Sequence, residues 1–155
     1  MTQAIILAAG KGTRCWPLTS TRPKPLLKVA NRTIIEHNLE QLSGLVDEVV
    51  IVVGYKGEMI KDALGSRYGG LKLKYSEQKK IDGPGGALLA CEKLLKDRFV
   101  VINGDDLYSA HDIKNALKNR YCVAVKEVED TKSWGIVEAK NGLVAGFEEK
   151  PAKAK

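Results

Sequence analysis

Ala4-Ile5-Ile6-Leu7-Ala8-Ala9-Gly10-Lys11-Gly12-Thr13-Arg14 is the stretch that decides the fold. A short aliphatic run that meets a glycine reads as a strand buried on both faces. Glycines directly after such a strand let backbone N–H groups approach a phosphate, and Lys11 and Arg14 add positive charge. Two familiar phosphate loops do not fit. The G-x-x-x-x-G-K-[ST] pattern is absent, and G-x-G-x-x-G is broken because Cys15 stands at the third glycine position. A tight strand-to-loop turn that binds nothing is the plain alternative.

Outward from this loop, apolar runs alternate with helical periodicity. Thr33 to Ser43 is expected as a helix, with Ile35, Leu39 and Leu42 at the i, i+4, i+7 spacing and Gly44 as its stop. Val49–Val53 is a second buried strand ended by Gly54, followed by a short helix over Glu58–Leu64. Leu71–Tyr75 alternates strictly and reads as a strand with one polar face. A helix is expected over Gly86–Leu95, a strand at Phe99–Ile102 running into Asn103-Gly104-Asp105-Asp106, and a helix over Ala110–Lys118. Cys122–Val125, Trp134–Glu138 and Leu143–Glu148 read as strands, with Asn141-Gly142 as a hairpin turn.

This order predicts an open, mostly parallel α/β sheet, a three-layer Rossmann-like arrangement with antiparallel strands at the C-terminal end. Ligands of such sheets sit beyond the carboxyl ends of the strands. Polar clusters follow Leu7, Tyr75 and Ile102, so one crevice should gather them.

The bulk numbers narrow the partners. The 155 residues suit one domain, residues 1–155, with an ordinary balance of 44% hydrophobic and 28% charged residues. A net charge of +6, from 25 Lys and Arg against 19 Asp and Glu, suits an anionic partner. Lys72, Lys74, Lys79 and Lys80 lack interleaved aromatics, so they read as a solvated face and loop rather than a nucleic-acid stripe. Cys15, Cys91 and Cys122 are far apart, and His37 and His111 are distant from them in sequence. Reduced, mostly buried thiols are expected, rather than disulfides or zinc. His37 and His111 read as solvated, and Asp106 as a turn or helix-entry residue. Neither a basic leader nor an apolar run of about 18 residues is present, which reads as a soluble cytoplasmic protein with no membrane partner.

A second cluster sharpens the loop. Arg22-Pro23-Lys24-Pro25-Leu26 is a proline-stiffened segment that fixes where Lys24 points. The whole string AAGKGTRCWPLTSTRPKPLLKV, residues 8–29, closely resembles the signature of the sugar-1-phosphate nucleotidyltransferases, which make UDP-, dTDP-, ADP- and GDP-sugars. Later segments match in the family's order. Gln78 with Asp82-Gly83 resembles the segment that contacts the base. Gly104-Asp105 resembles the magnesium carboxylate, and Trp134-Gly135-Ile136-Val137-Glu138 the segment whose glycine meets the sugar. Phe147-Glu148-Glu149-Lys150-Pro151 resembles the motif whose Glu binds sugar hydroxyls and whose Lys binds the sugar phosphate. Ile34-Ile35-Glu36-His37 and Asn103–Tyr108 look most like archaeal uridylyl- or thymidylyltransferases acting on glucose- or N-acetylglucosamine-1-phosphate.

The resemblance implies a nucleotidyltransferase-like domain that lines its triphosphate, UTP or dTTP, with Leu7, Ala8, Ala9, Gly10, Gly12, Thr13, Gln78 and Gly83. Arg14, Lys24 and Lys150 would do the catalytic work, Gly135 and Glu149 would hold the sugar, and Asp105 would hold Mg²⁺. A phosphate monoester has its second pKa near ~6, so the nucleophile needs no general base. Charge neutralisation and alignment of two anions are what the reaction requires. Two departures from the family pattern stand out: Pro84 follows Gly83, and Cys15 replaces a larger apolar residue. Family members also continue past the Glu-Lys-Pro motif, whereas this sequence ends four residues beyond Pro151. The expectation is therefore a truncated domain that binds nucleotide better than it turns over, with a non-catalytic nucleotide-binding module as the competing reading. A cytidylyl- or guanylyltransferase for another acceptor fits the later motifs less well, and a homo-oligomer stays open.

Overall fold

The computed structural model describes residues 2–129, 134–149 and 151. They group into two compact units, divided between Arg120 and Tyr121.

The first unit is built on a five-stranded sheet. Its elements are β1 (Gln3–Ala8), the short pair β2 (Lys28–Val29) and β3 (Arg32–Thr33), α1 (Ile34–Leu42), β4 (Glu48–Val53), α2 (Gly57–Leu64), β5 (Arg67–Tyr68), β6 (Leu71–Glu77), α3 (Pro84–Ala90), β7 (Phe99–Asn103) and α4 (Ala110–Leu117). The sheet order is β5-β6-β4-β1-β7. β1, β4, β6 and β7 run parallel, and the two-residue β5 is antiparallel at the edge. The strands are the aliphatic runs read from the sequence, and every residue of β4 is buried.

Alternation along these strands sorts the core into two layers. Ala4, Ile6, Val49, Ile51, Leu71 and Leu73 pack with Ile35, Leu39, Ile60 and Ile113, so α1, α2 and α4 share one face. Ile5, Val50 and Val52 pack with Ala87 and Cys91, which puts α3 on the other. The result is the expected three-layer α/β arrangement. Fully buried Leu39 and Leu42 each contribute about 1.5–3 kcal/mol of burial.

Local chemistry sets the helix ends. Thr33 caps α1 through a reciprocal box: its hydroxyl accepts from Glu36 N, and the Glu36 carboxylate accepts from Thr33 N at 2.7 Å. The Thr33 hydroxyl and backbone bonds together hold the Glu36 carboxyl below its ordinary value. Pro84 begins α3 two residues before the sequence reading, because a missing N–H costs nothing at a first turn. The helix also stops early, at Cys91, and Glu92–Leu94 continue as a 3-10 turn. The β2–β3 hairpin was not anticipated; Ala30 and Asn31 make its turn with φ of 49° and 67°.

Several local expectations are corrected. Lys74 does not simply face solvent, since its ammonium pairs with buried Glu48 at 2.9 Å. Of the cysteines only Cys91 is buried; Cys15 is half-buried and Cys122 exposed. His37 is half-buried, with Nε2 2.8 Å from the Val29 carbonyl oxygen. Asp106 is the turn residue expected, its carboxylate accepting from Asn103 Nδ2 at 3.1 Å.

In the second unit the described residues include a hairpin, β8 (Gly135–Lys140) against β9 (Leu143–Glu149), turning at Asn141 and Gly142, both with positive φ. Cys122–Val125 forms no strand. A short apolar run supplies strand propensity, but a strand also rests on a ladder, and the described strands of this unit, β8 and β9, pair with each other.

Candidate functional site

Parallel strands deliver their carboxyl ends to one edge of the sheet. The register aligns Ala8 with Val53 and Val53 with Glu77, and Leu7 with Asn103. The loops leaving β1, β6 and β7 therefore emerge at the same end of the sheet, those of β1 and β7 adjacent and that of β6 on the far side of β4.

Two close approaches lock these loops together. Gly104 N donates to the Leu7 carbonyl at 2.8 Å, and a Cβ on Gly104 would lie 2.9 Å from that oxygen. No larger residue fits without moving backbone. Tyr55 N donates to the Ala9 carbonyl, and a Cβ on Gly54 would sit 2.8 Å from the same atom. The ends of β4 and β7 thus grip the loop after β1 from both sides. Ala8 and Ala9 are buried, Leu7 and Gly12 half-buried, and Gly10, Thr13 and Arg14 exposed.

The loop has its own scaffold. Gly12 adopts φ 63°, favourable to glycine, and its carbonyl accepts from the hydroxyl of fully buried Thr19 at 2.9 Å. Its Cα faces Lys24 closely enough that an added Cβ would touch the Lys24 Cβ at 3.1 Å. Tyr55 OH donates to the carbonyls of Thr19 and Ser20. Thr19 and Tyr55 are residues the sequence reading did not single out. The only signal was a small polar residue, Thr19, enclosed by prolines.

Lys24 begins a 3-10 turn, Lys24–Leu26, whose Pro25 and Leu26 are buried. Its ammonium reaches across to Asp105 Oδ2 at 3.0 Å, with side-chain exposures of 27% and 43%. Two residues 81 positions apart, expected at one site, therefore touch. The lysine ammonium sits against the carboxylate as a cation would, which tests that carboxylate's fitness for Mg²⁺. Among the described residues no three His, Cys, Asp or Glu side chains cluster to hold a metal. Asp105 alone could hold Mg²⁺ only together with substrate phosphates and water, an arrangement this ion accepts.

Behind Asp105 the loop is held from α1. Asn38, fully buried, donates from Nδ2 to the Asp106 carbonyl at 2.8 Å. Gln41 accepts from Ala110 N at 2.9 Å. Tyr108 OH accepts from Asn103 N, and burial is the main cause that raises its pKa.

Gln78 follows β6, two strands from β1 in the sheet, roughly 10 Å away at ordinary strand spacing. It is buried, and its amide donates to Asp82 Oδ1 at 3.0 Å and to the Gly83 carbonyl at 3.1 Å. Gly83 adopts φ 102°, open to glycine and strained for other residues. Gln78 thus shapes the turn that carries Gly83. Beside it, Val53, Gly54, Lys56, Gly57, Glu58, Met59 and Glu77 line an open recess of about 370 Å³ that contains none of the residues expected from the sequence.

In the second unit Gly135 pairs with Glu149 across the hairpin, and Glu149 Oε2 lies 3.1 Å from where a Gly135 Cβ would stand. The two residues expected for the sugar are therefore neighbours. Lys150 lies outside the described residues. No helix among the described residues is long and apolar enough to cross a membrane.

Comparison with known proteins agrees with this fold. The family model described as Nucleotidyl transferase matches residues 3–155. The bifunctional protein GlmU of Methanocaldococcus jannaschii is 41% identical over 154 residues, which cover 98% of this chain and 36% of that protein. The D-glycero-alpha-D-manno-heptose 1-phosphate guanylyltransferase of Campylobacter jejuni is 35% identical over 97% of this chain and 70% of its own length. A crystal structure from Bacillus anthracis, assigned as a glucose-1-phosphate thymidylyltransferase, superposes with a TM-score of 0.82 at 29% identity, over 99% of this chain and 66% of that one. The chain spans about a third of the length of the GlmU proteins it matches. On the family-model match over residues 3–155, the chain belongs to the nucleotidyl transferase family, among relatives that include two named for sugar-1-phosphate substrates.

Proposed function

We propose that this chain transfers a nucleotidyl group from a nucleoside triphosphate, UTP or dTTP, to a sugar-1-phosphate, releasing pyrophosphate. The observation that carries the proposal is the meeting of Lys24 and Asp105 beside the glycine loop.

A phosphate oxygen of the sugar-1-phosphate attacks the α-phosphorus in line. The new O–Pα bond forms as the bridge to the β-phosphate breaks, and pyrophosphate leaves with the bond's electron pair. The attacking oxygen is already ionised near neutral pH, so no side chain has to take a proton. Gln78 and Gly83 support the base from the β6 side. Leu7, Ala8, Ala9, Gly10, Gly12 and Thr13 form the floor under sugar and phosphates. Arg14, exposed at the loop tip, and the loop amides hold the departing pyrophosphate. Lys24 steadies charge at the α-phosphate, and Lys150 the acceptor phosphate. Gly135 and Glu149 contact the sugar. Asp105 would hold Mg²⁺, which when bound would supply neutralisation of phosphate charge. A chain working on triphosphates is expected in the cytoplasm.

The test is pyrophosphate release by the chain with Mg²⁺, each common triphosphate and a panel of sugar-1-phosphates. Turnover with a UTP or dTTP pair supports the reading. Binding of UTP or dTTP without turnover would replace it with a nucleotide-binding module, and failure to bind any triphosphate would end it.

A further inference from the structure

Asn38 is a position where packing and chemistry disagree. It lies at i+3 from Ile35 and one residue before Leu39, inside the apolar stripe that α1 turns toward the sheet. Ile35, Leu39 and Leu42 are fully buried, and so is Asn38. A helix that needed only to pack would carry an aliphatic residue there. The amide's Oδ1 finds no hydrogen-bond partner among the described residues, so the side chain is not placed to satisfy itself. What it does is donate from Nδ2 to the Asp106 carbonyl, 68 positions away.

We propose that Asn38 is a positioning residue for the Asp105 carboxylate, acting through the backbone of the next residue. The inference rests on the reading of Asp105 as the carboxylate that holds the metal. α1 is a firm anchor, capped at Thr33 and buried along one side. From it Asn38 fixes the carbonyl of Asp106, and one turn on Gln41 fixes the amide of Ala110. The segment between them also carries Tyr108, whose hydroxyl returns to Asn103 N. Gly104 N, tied to Leu7, closes the other end. Asp105 stands between two clamped neighbours, and its carboxylate is aimed at Lys24. Consecutive Cα atoms are only about 3.8 Å apart, so rotation of an untethered 106–107 peptide would be felt directly at the carboxylate.

Groups that orient a metal ligand from behind typically change metal affinity about 10–100-fold when lost. The experiment uses the full chain and Mn²⁺ as probe, with calorimetry or electron paramagnetic resonance in the presence of UTP or dTTP, whichever the chain binds. Asn38→Leu keeps the branching, is somewhat bulkier and suits the apolar stripe; Asn38→Asp keeps the shape and, when ionised, removes the donor. Both are expected to weaken Mn²⁺ binding about 10-fold, to leave metal-free triphosphate binding unchanged, and to raise the metal concentration needed for half-maximal turnover. In the unsubstituted chain the Asn38 side-chain amide protons should exchange slowly and shift when Mg²⁺ is added to the triphosphate complex. Asp105→Asn is the control, and it should remove Mn²⁺ binding. Wild-type Mn²⁺ affinity in both Asn38 variants, with loss in Asp105→Asn, would overturn the proposal and leave Asp105 in place. Equal loss of metal-free triphosphate binding would make Asn38 a general structural residue. An Asn38 amide that exchanges freely and ignores Mg²⁺ would refute it even if neither variant folds. Full Mn²⁺ binding by Asp105→Asn would remove the underlying reading, and the proposal with it.

Discussion

The two edges of the sheet each carry a lysine–carboxylate contact, and they are built on opposite plans. At the amino ends of the strands Glu48 is buried, and all its neighbours are committed. Lys74 and Lys96 reach its two oxygens at 2.9 and 3.4 Å, and Gln3 donates to it at 2.8 Å. Gln3 itself is fully used, donating also to the Leu94 carbonyl and accepting from Lys96 N. This end ties β1, β4, β6 and the approach to β7 into one block. At the carboxyl ends Lys24 and Asp105 have one another and little else, and they remain open to solvent. A saturated network stabilises; an unsaturated pair can exchange its partners. The contrast separates the end that holds the fold from the end that meets a ligand.

The sharpest way to break this contrast is Lys24→Ala. Loss of a preorganised donor at the α-phosphate is expected to cost about 3–4 kcal/mol of barrier, roughly 10²–10³-fold in kcat, with the melting temperature nearly unmoved. Steady-state kinetics beside thermal denaturation would check it. Near-normal turnover would remove Lys24 from the mechanism.

Gly104→Ala should damage both properties, because its Cβ would press on the Leu7 carbonyl at 2.9 Å. About 1–3 kcal/mol of stability is expected to go, with triphosphate binding weakened as the loops part. Urea denaturation and calorimetry report the two losses separately.

Glu48→Gln probes the other edge. It should lower stability by about 1–2 kcal/mol while leaving kcat unchanged, a modest figure because both lysines are over a third exposed and can turn to water. Burial is the largest single influence on this carboxyl and acts to raise its pKa. The hydrogen bonds from Lys74, Gln3 and Lys96 together outweigh it, and the folded-state value lies below the ordinary 4.5. The Glu48 contribution is therefore full above that unfolded value. It fades as pH falls from about 4.5 through the lower folded one. Urea midpoints of wild type and Glu48→Gln should converge in acid; a constant gap would show that the charge is not what stabilises.

The smallest effect is expected at Thr33→Ala, which removes the hydroxyl half of the α1 capping box. It should lose about 1 kcal/mol of stability by urea denaturation. A much larger loss of activity than of stability would mean that α1 steadies the site more than the sheet.

The same contrast explains what the sequence could tell. Strands and helices of the first unit were legible because each buries a face, and burial writes its period into the chain: Val49–Val53 and Ile35, Leu39 and Leu42 are plain. The glycine loop and Lys24 were legible for another reason, since their glycines and prolines answer local backbone demands. What no local pattern carries is pairing at a distance. Lys74 read as solvated because nothing near it names Glu48. Asn38 drew no notice because one polar residue in an apolar stripe has no meaning until Asp106 is brought against it. Cys122–Val125 shows the converse, an apolar run that does not become a strand.

The contact between Lys24 and Asp105 also bears on how the site answers salt. Two opposite charges in contact make a resting site that is locally neutral, a small ion exchanger already loaded with itself. A bare triphosphate must strip the lysine from its carboxylate and leave that carboxylate facing an anion. A magnesium triphosphate offers each of the two a new counter-charge, and no charge is left alone. Raising ionic strength should therefore weaken capture of the bare triphosphate steeply and of its magnesium complex only slightly.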